Sequence, residues 1–595
     1  MTNAVQGRVE KLRGLLKAQN ISAYVVPSSD PHQSEYVAPK WGRREYISGF
    51  TGSAGLFAMN DKEAGLWTDG RYFEQAETEL NGSSINLFKQ GLEGVPDWQE
   101  WMIQTLPKGS RVGINPDLFS TQAYQKISGN FGKAGLDLVA VADDFVDQVW
   151  SKDRPELPSE TFYAHPMAYA GESHEAKLTR LRSALSKEGA KAIVVSALDE
   201  IAWLFNLRGR DVPNNPVFYA YAVVSDGSAE LFTELSKLDE SLKKSLGSAV
   251  TLRPYDDFRS SLKSLKGPVW IDPNSTSAAV ESVLKENGIA VVAKDSPIPA
   301  WKAVKNSAEL KGMREAHVRD GVAMVRFSRW LKDTIGREKM DEMSVADKLE
   351  SFRKKAKEFR GPSFSTISGY GPHGALPHYR ASNESNSEIF AKGIFLLDSG
   401  AQYDDGTTDI TRTYALGKPS DQHRFIYTTV LKGHLLLGRS LFPKGTNGYQ
   451  LDTVARQPIW QEALDYNHGT GHGVGAALCV HEGPFSVSLR KNMTPLEAGH
   501  VLSNEPACYL PGDFGVRIEN LVTVVEKTKN SFGSYLGLED LTLCPYEREL
   551  IDTGRLSSED IKQVNAYHAR VRAELSPLLE GKDLEYLLTA TEKLS

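Results

Sequence analysis

GIFLLDSGAQYDDGTTDITRTY, residues 393–414, is the stretch from which the fold of this chain can be read. An apolar run ends in Asp398, a glycine-containing turn follows, and a run rich in Thr and Ile carries Asp409. This pattern predicts an antiparallel hairpin. The two carboxylates would then face each other on adjacent strands, roughly 5 Å apart at Cβ. Two carboxylates that close disfavour each other's ionisation, and a divalent cation between them removes the penalty. Taken alone, the hairpin leaves a plainer alternative open, with Asp398 ending a strand and Asp409 on a solvated face.

Downstream residues add to the pair. Of the 13 histidines, eight lie between His373 and His500. In NHGTGHGVG (Asn467–Gly475), His468 and His472 alternate with glycines, which disfavours a helix and lets the backbone approach a neighbour closely. His481 follows in CVHEGP. Two further segments are predicted as strands: HVLSNEPACYL (His500–Leu510), carrying Glu505, and FGVRIENLVTVVE (Phe514–Glu526), carrying Arg517 and Glu519. Positions 515, 517 and 519 would share one strand face. A carboxylate among β-branched core residues is costly unless paired or metal-bound, and for Glu519 an ion pair with Arg517 is the alternative. Asp398, Asp409, His472, Glu505 and Glu519 together offer four carboxylates and one imidazole. Their charge matches two divalent ions, and the oxygen-dominated donor set suits Mn²⁺, with Co²⁺ or Zn²⁺ also fitting.

Composition narrows the class. The chain has 595 residues, 40% apolar and 24% charged, with a net charge of -7. It is an ordinary globular composition, and a mildly acidic chain without a basic block is a poor candidate for nucleic acid or anionic membrane. Three cysteines, Cys479, Cys508 and Cys544, argue against a disulfide framework and fit a reducing compartment. The N-terminal residues read as an amphipathic helix with Val9, Leu12, Leu15 and Leu16 on one face, not as a signal peptide. The uncharged stretch Val212–Ser225 is too short to span a bilayer. A cytoplasmic location is the expectation.

Upstream, Glu10–Asp30 aligns without gaps on Thr179–Asp199, with seven of 21 positions identical. Each copy reads as a helix followed by a β-branched strand, which implies a duplicated α/β domain. The polar, Pro-rich segment 151–166 suits the linker between copies. A long helical pattern begins near Ser307, the region from Ile367 to Val525 reads as strands and turns, and the tail from Ser557 is helical again. The expected architecture is α/β (α+β), with domains at 1–155, 156–304 and 305–595.

The order Asp, Asp, His, Glu, Glu resembles the dinuclear metallopeptidases of the pita-bread fold, which include methionine aminopeptidase, prolidase and the Xaa-Pro aminopeptidases. The stretches LDSGAQYDDGTTDITRT, HGTGHGVG, SNEPACY and GVRIEN carry the resemblance. WTDGRYFEQA, FTGSAG and LDEIAWLFNLRGRDVPNNPVFYAYA extend it upstream to the eukaryotic cytosolic aminopeptidase P family. The resemblance implies two similar N-terminal domains before a catalytic domain, and two metal ions. Asp398 and Asp409 would bind one ion, His472 and Glu505 the other, and Glu519 would bridge. It implies release of the first residue ahead of a proline by a hydroxide bridging the ions, with Glu505 as proton carrier. His378, His468 and His481 would be catalytic and substrate-contacting, and Arg71 and Arg517 would contact substrate. His373 is not counted among the active histidines. The expected partners are peptides with a free amino terminus and a second copy of the chain. Prolidase, or a catalytically inactive binding module of the same fold, are the alternatives.

Overall fold

The computed structural model describes residues 2–158 and 160–595. The chain forms two compact units, one of Met1–Ala164, Glu172–Pro213 and Val217–Ile298, the other of His165–Gly171, Asn214–Pro216 and Pro299–Ser595. The first unit opens with the expected helix, Thr2–Ala18. Val9, Leu12 and Leu16 are buried in it, and Leu15 is partly buried. Full burial of such side chains is worth about 1.5–3 kcal/mol each, which is what fixes that helix face to the sheet.

Two six-stranded sheets fill the first unit. One runs Ile85–Lys89, Ala64–Thr68, Leu56–Asn60, Ala23–Pro27, Arg111–Ile114, Asp137–Ala140. The other runs Thr251–Pro254, Ala229–Thr233, Ala220–Ser225, Ala192–Val195, Val269–Ile271, Val291–Ala293. Across each sheet the successive pairings are parallel, antiparallel, antiparallel, parallel, parallel. The two sheets therefore share one topology. Ala23–Pro27 and Ala192–Val195 hold the same place in that order, and they begin at equivalent positions of the aligned repeat.

The second unit is built on antiparallel sheets and helices. Its long helix, Ser307–Thr334, starts where Asn306 accepts from the N–H groups of Ala308 and Glu309 while the Glu309 carboxylate answers the Asn306 N–H. Three sheets position the site. A six-stranded one runs Leu441–Pro443, Gly533–Asp540, Asn520–Asn530, Val501–Asn504, Gly471–Gly473, Glu482–Val487. A three-stranded one joins Ile367–Tyr370, Ile394–Ser399 and Ile410–Ala415, and a two-stranded one pairs Ala507–Leu510 with Phe514–Arg517. The tail forms helices Ser558–Leu575 and Gly581–Ala590, whose Val564, Val571, Leu575 and Leu587 are buried in one cluster with Ile426, Val430 and Val516.

Candidate metal centre

Asp398 lies in the strand Ile394–Ser399, as the sequence predicts, but it stands opposite Thr411, and the last pair is Ser399 with Ile410. Asp409 is one step beyond. The two carboxylates are diagonal neighbours, not the facing pair expected of a tight hairpin. The intervening chain leaves the sheet: Ala401–Tyr403 and Gly406–Thr407 pair with each other, and the former also pairs with Phe359–Pro362. Gly400 permits the departure, because a Cβ there would lie 2.0 Å from Ser363 Oγ and 2.1 Å from the Thr408 carbonyl oxygen.

Neither glutamate sits inside a strand, which corrects the sequence reading. Pro506 has no N–H to give a ladder. Val501–Asn504 therefore ends in the six-stranded sheet, and Ala507–Leu510 continues in the two-stranded one. Glu505 occupies the break. Glu519 occupies a second break, between Phe514–Arg517 and Asn520–Asn530, yet its side chain and that of Arg517 both meet the Thr411 hydroxyl. The interleaved glycines act as close-approach residues around His472. A Cβ on Gly471 would lie 2.0 Å from the Ser503 carbonyl oxygen, and one on Gly473 would lie 2.2 Å from that of Glu482.

These breaks bring the five side chains into one cluster. Ligand-type atoms of Asp409, His472 and Glu519 all lie within 4.8 Å of one another. His472 Nε2 is 3.5 Å from Asp409 Oδ2 and 3.6 Å from Glu505 Oε1. Thr411 Oγ1 donates to Glu519 Oε2 at 2.8 Å, and Ser503 Oγ to Glu505 Oε1 at 3.2 Å. Arg517 Nη2 donates to Asp398 Oδ2 at 2.6 Å. Among the described residues, Asp398 Oδ1, Asp409 Oδ1 and Glu519 Oε1 are buried without a hydrogen-bond partner. Three orphaned carboxylate oxygens in one buried place are costly, and cations of the hard or borderline kind are the partners that fit them.

The electrostatics point the same way. Burial is the largest influence on Asp398, Arg517 opposes it, and the charges of Asp409 and Glu505 add to it, so that the carboxyl rises to about 7. Burial also lifts Glu505 and Glu519, the latter well above the carboxylate range, with Asp409 among the repelling charges for both. For His472 burial disfavours the charged ring, yet its contact with Asp409 and the charges of Glu505 and Asp409 prevail and raise it to about 9. The protein alone leaves this cluster short of positive charge.

Around it, His481 packs edge-to-face on His472, with ring centroids 4.4 Å apart. His468 Nε2 is 2.9 Å from the Tyr509 hydroxyl, which also accepts from Arg517 Nη1. His378 is half-buried. It follows Pro377, whose carbonyl accepts from Arg517 Nη2 at 3.3 Å. Arg517 was expected at the substrate, but its side chain is 3% exposed and its guanidinium is engaged by Thr411, Tyr509, Pro377 and Asp398. His373 stands apart, 2.9 Å from Glu342 and stacked on Tyr379. Arg71 belongs to the first unit, where Asp69 holds it through two hydrogen bonds of 2.7 Å. Thr411, Ser503 and Tyr509 were not singled out from the sequence. For Thr411 and Ser503 the available signal is a hydroxyl two residues from an expected ligand, on the same face of an extended chain.

Residues 311–526 match metallopeptidase family M24, residues 8–148 and 153–309 match creatinase/prolidase N-terminal domains, and residues 534–594 match the C-terminal region of peptidase M24. A probable Xaa-Pro aminopeptidase P of Paracoccidioides brasiliensis (strain Pb03) is 45% identical over 584 residues, 95% of each chain. The crystal structure of an X-prolyl aminopeptidase from Caenorhabditis elegans, described as a cytosolic enzyme with a di-nuclear active site, superposes with a TM-score of 0.95 at 36% identity, covering 99% of this chain and 100% of that one. An Xaa-Pro dipeptidase from Bacillus anthracis covers 63% of this chain and 99% of its own, with a TM-score of 0.51 at 26% identity. Two creatinase-type domains thus precede a catalytic unit of the pita-bread fold, and the chain belongs to metallopeptidase family M24, within its Xaa-Pro aminopeptidase P group.

Proposed function

We propose that this chain removes the first residue from peptides whose second residue is proline, using two divalent cations. The observation that carries the reading is the buried cluster of Asp398, Asp409, His472, Glu505 and Glu519 with its three orphaned carboxylate oxygens. Asp398 and Asp409 would hold one ion, with Asp409 also reaching the second. His472 and Glu505 would hold the second, and Glu519 would bridge both. Mn²⁺ is the proposed metal, with Co²⁺ or Zn²⁺ as alternatives. When bound, such ions polarise a carbonyl and lower the pKa of water from 15.7 towards 7.

The chain's own groups divide the remaining work. Glu505, whose carboxyl burial lifts above its ordinary value, takes the proton of the attacking water and returns it to the proline nitrogen. His481 and His378 donate to the oxygen of the scissile carbonyl as charge gathers there. His468, steadied by Tyr509, lines the proline side. Arg71 is a proposed substrate contact. We read Arg517 as the counter-charge of Asp398 in place of a substrate contact, because its donors are already engaged. Proline is selectable because it has no N–H and a fixed φ near -65°. The domains 1–155, 156–304 and 305–595, a homodimer and a cytoplasmic location complete the proposal.

The match of both creatinase-type domains over nearly the whole length favours an aminopeptidase over a prolidase. The test is hydrolysis of Xaa-Pro dipeptides and of longer Xaa-Pro peptides, after chelation and readdition of single metals. Release of the first residue from the longer peptides, lost on chelation and restored by Mn²⁺, is expected. Undiminished hydrolysis by the metal-free protein, or a strong preference for the dipeptide, would overturn the reading.

A further inference from the structure

Arg412 is 1% exposed and adjoins Thr411 in the strand Ile410–Ala415. Thr411 faces the cluster, so Arg412 faces the opposite side. A buried guanidinium is costly unless its donors are met, and no carboxylate meets this one among the described residues. Nη1 donates to the carbonyls of Glu519 at 2.7 Å and Thr411 at 2.9 Å. Nη2 donates to Asn520 Oδ1 and to the Cys544 carbonyl, each at 2.8 Å, and to the Tyr567 hydroxyl at 3.2 Å. Nε donates to the Pro545 carbonyl at 3.1 Å.

Glu519 lies in a break between strands, so its carbonyl has no ladder to join. Arg412 stands in for the ladder. The Glu519 N–H donates to the Thr411 carbonyl at 3.1 Å, and Oε2 accepts from the Thr411 hydroxyl at 2.8 Å. Both sides of the Glu519 backbone and one carboxylate oxygen are thus tied to Thr411–Arg412, which leaves Oε1 facing the cluster unpartnered. The far side of the guanidinium is gripped by Cys544, Pro545 and Tyr567, the last from the helix Ser558–Leu575.

We infer that Arg412 is a positioning residue for Glu519, and that residues 544–567, through Tyr567 and the two carbonyls, set how tightly the centre holds its ions. The inference rests on the reading of Glu519 as a bridging ligand. A guanidinium has its donors in a fixed plane and a lysine does not, so charge alone does not replace it.

The test is titration of the chelated full-length protein with Co²⁺, followed by calorimetry and by the visible absorption of the bound ion. Wild type takes up two ions, and Glu519→Gln loses tight uptake. Arg412→Lys is expected to weaken uptake by about 10–100-fold, the usual effect of altering a residue behind a metal ligand, and to change the Co²⁺ spectrum while the near-ultraviolet circular dichroism stays native. Tyr567→Phe, which keeps the ring and removes one partner of Arg412, is expected to show a smaller loss of the same kind. If Glu519→Gln weakens uptake but a folded Arg412→Lys matches wild type in affinity and spectrum, the inference is overturned and the ligand reading stands. Should Arg412→Lys not fold, wild-type uptake by Tyr567→Phe overturns it instead. If Glu519→Gln itself binds both ions normally, the ligand reading fails.

Discussion

Gly471→Ala adds one methyl group at a position where the backbone has no room for it. The new Cβ would lie 2.0 Å from the Ser503 carbonyl oxygen. A carbon and a carbonyl oxygen settle no closer than about 3.3 Å, so Gly471–Gly473 must move about 1.3 Å away from Val501–Asn504. That movement stretches the His472 N–H bond to Ser503 Oγ, now 2.9 Å, and the Val474 N–H bond to the Val501 carbonyl, now 3.0 Å. Each buried group left unpaired costs about 1–3 kcal/mol. The same displacement draws His472 Nε2 off its positions 3.5 Å from Asp409 and 3.6 Å from Glu505. Misplacement of a catalytic group by about 1 Å costs on the order of 100-fold in rate. Thermal unfolding, metal content after gel filtration and hydrolysis of an Xaa-Pro tripeptide should therefore all suffer, with kcat/KM down by at least that factor. An alanine variant with wild-type melting temperature, two bound ions and full turnover would refute the close-approach argument.

Asp409→Ala and Glu519→Ala should lose metal and activity together, as read by elemental analysis and peptide assay; an active variant depleted of metal would contradict the ligand assignment. His481→Ala should keep its metal and lose about 100- to 1,000-fold in kcat, the scale of a lost donor at a developing oxyanion, and near-full turnover would remove that role. His434, held between the Asn504 carbonyl and the Tyr546 hydroxyl, is pushed down to about 3, first by burial and then by Arg412. It stays neutral in the folded protein while the unfolded chain takes up a proton below about 6.5. The unfolded state binds more protons in the window from 6.5 to 3, so stability falls as pH falls. The His434 share is about 2 kcal/mol between pH 7 and 5, and urea unfolding of chelated wild type and His434→Gln should differ in slope by that amount, whereas parallel profiles would sink the argument.

The duplication was legible because helix and strand follow each other at one fixed spacing, and local pattern carries that information without any distant contact. Ala23–Pro27 and Ala192–Val195 occupy the predicted positions for that reason. The long helix at Ser307–Thr334 was legible from its apolar period. The proposed carboxylate ligands could be singled out because a carboxylate inside an apolar run is costly and stands out, and the structure places Asp409, Glu505 and Glu519 near His472. Their exact setting was not. The diagonal offset of Asp409 depends on Gly400 passing Ser363, a contact between segments far apart in sequence. The break at Glu505 could have been found from Pro506, whose missing N–H argues against a continuous central strand. The break at Glu519 could not, since Ile518 and Asn520 carry no comparable mark, and the guanidinium that replaces the ladder there comes from a residue the alternation pattern does not distinguish.

Because the five proposed ligands lie on segments as far apart as Asp398 and Glu519, no shorter stretch of this chain holds them all. On the proposed ligand set, a ribosome-bound chain would remain without hydrolytic capacity until Glu519 has emerged and docked. The proposed assignment would thereby postpone peptide cleavage until synthesis of the catalytic portion is almost finished.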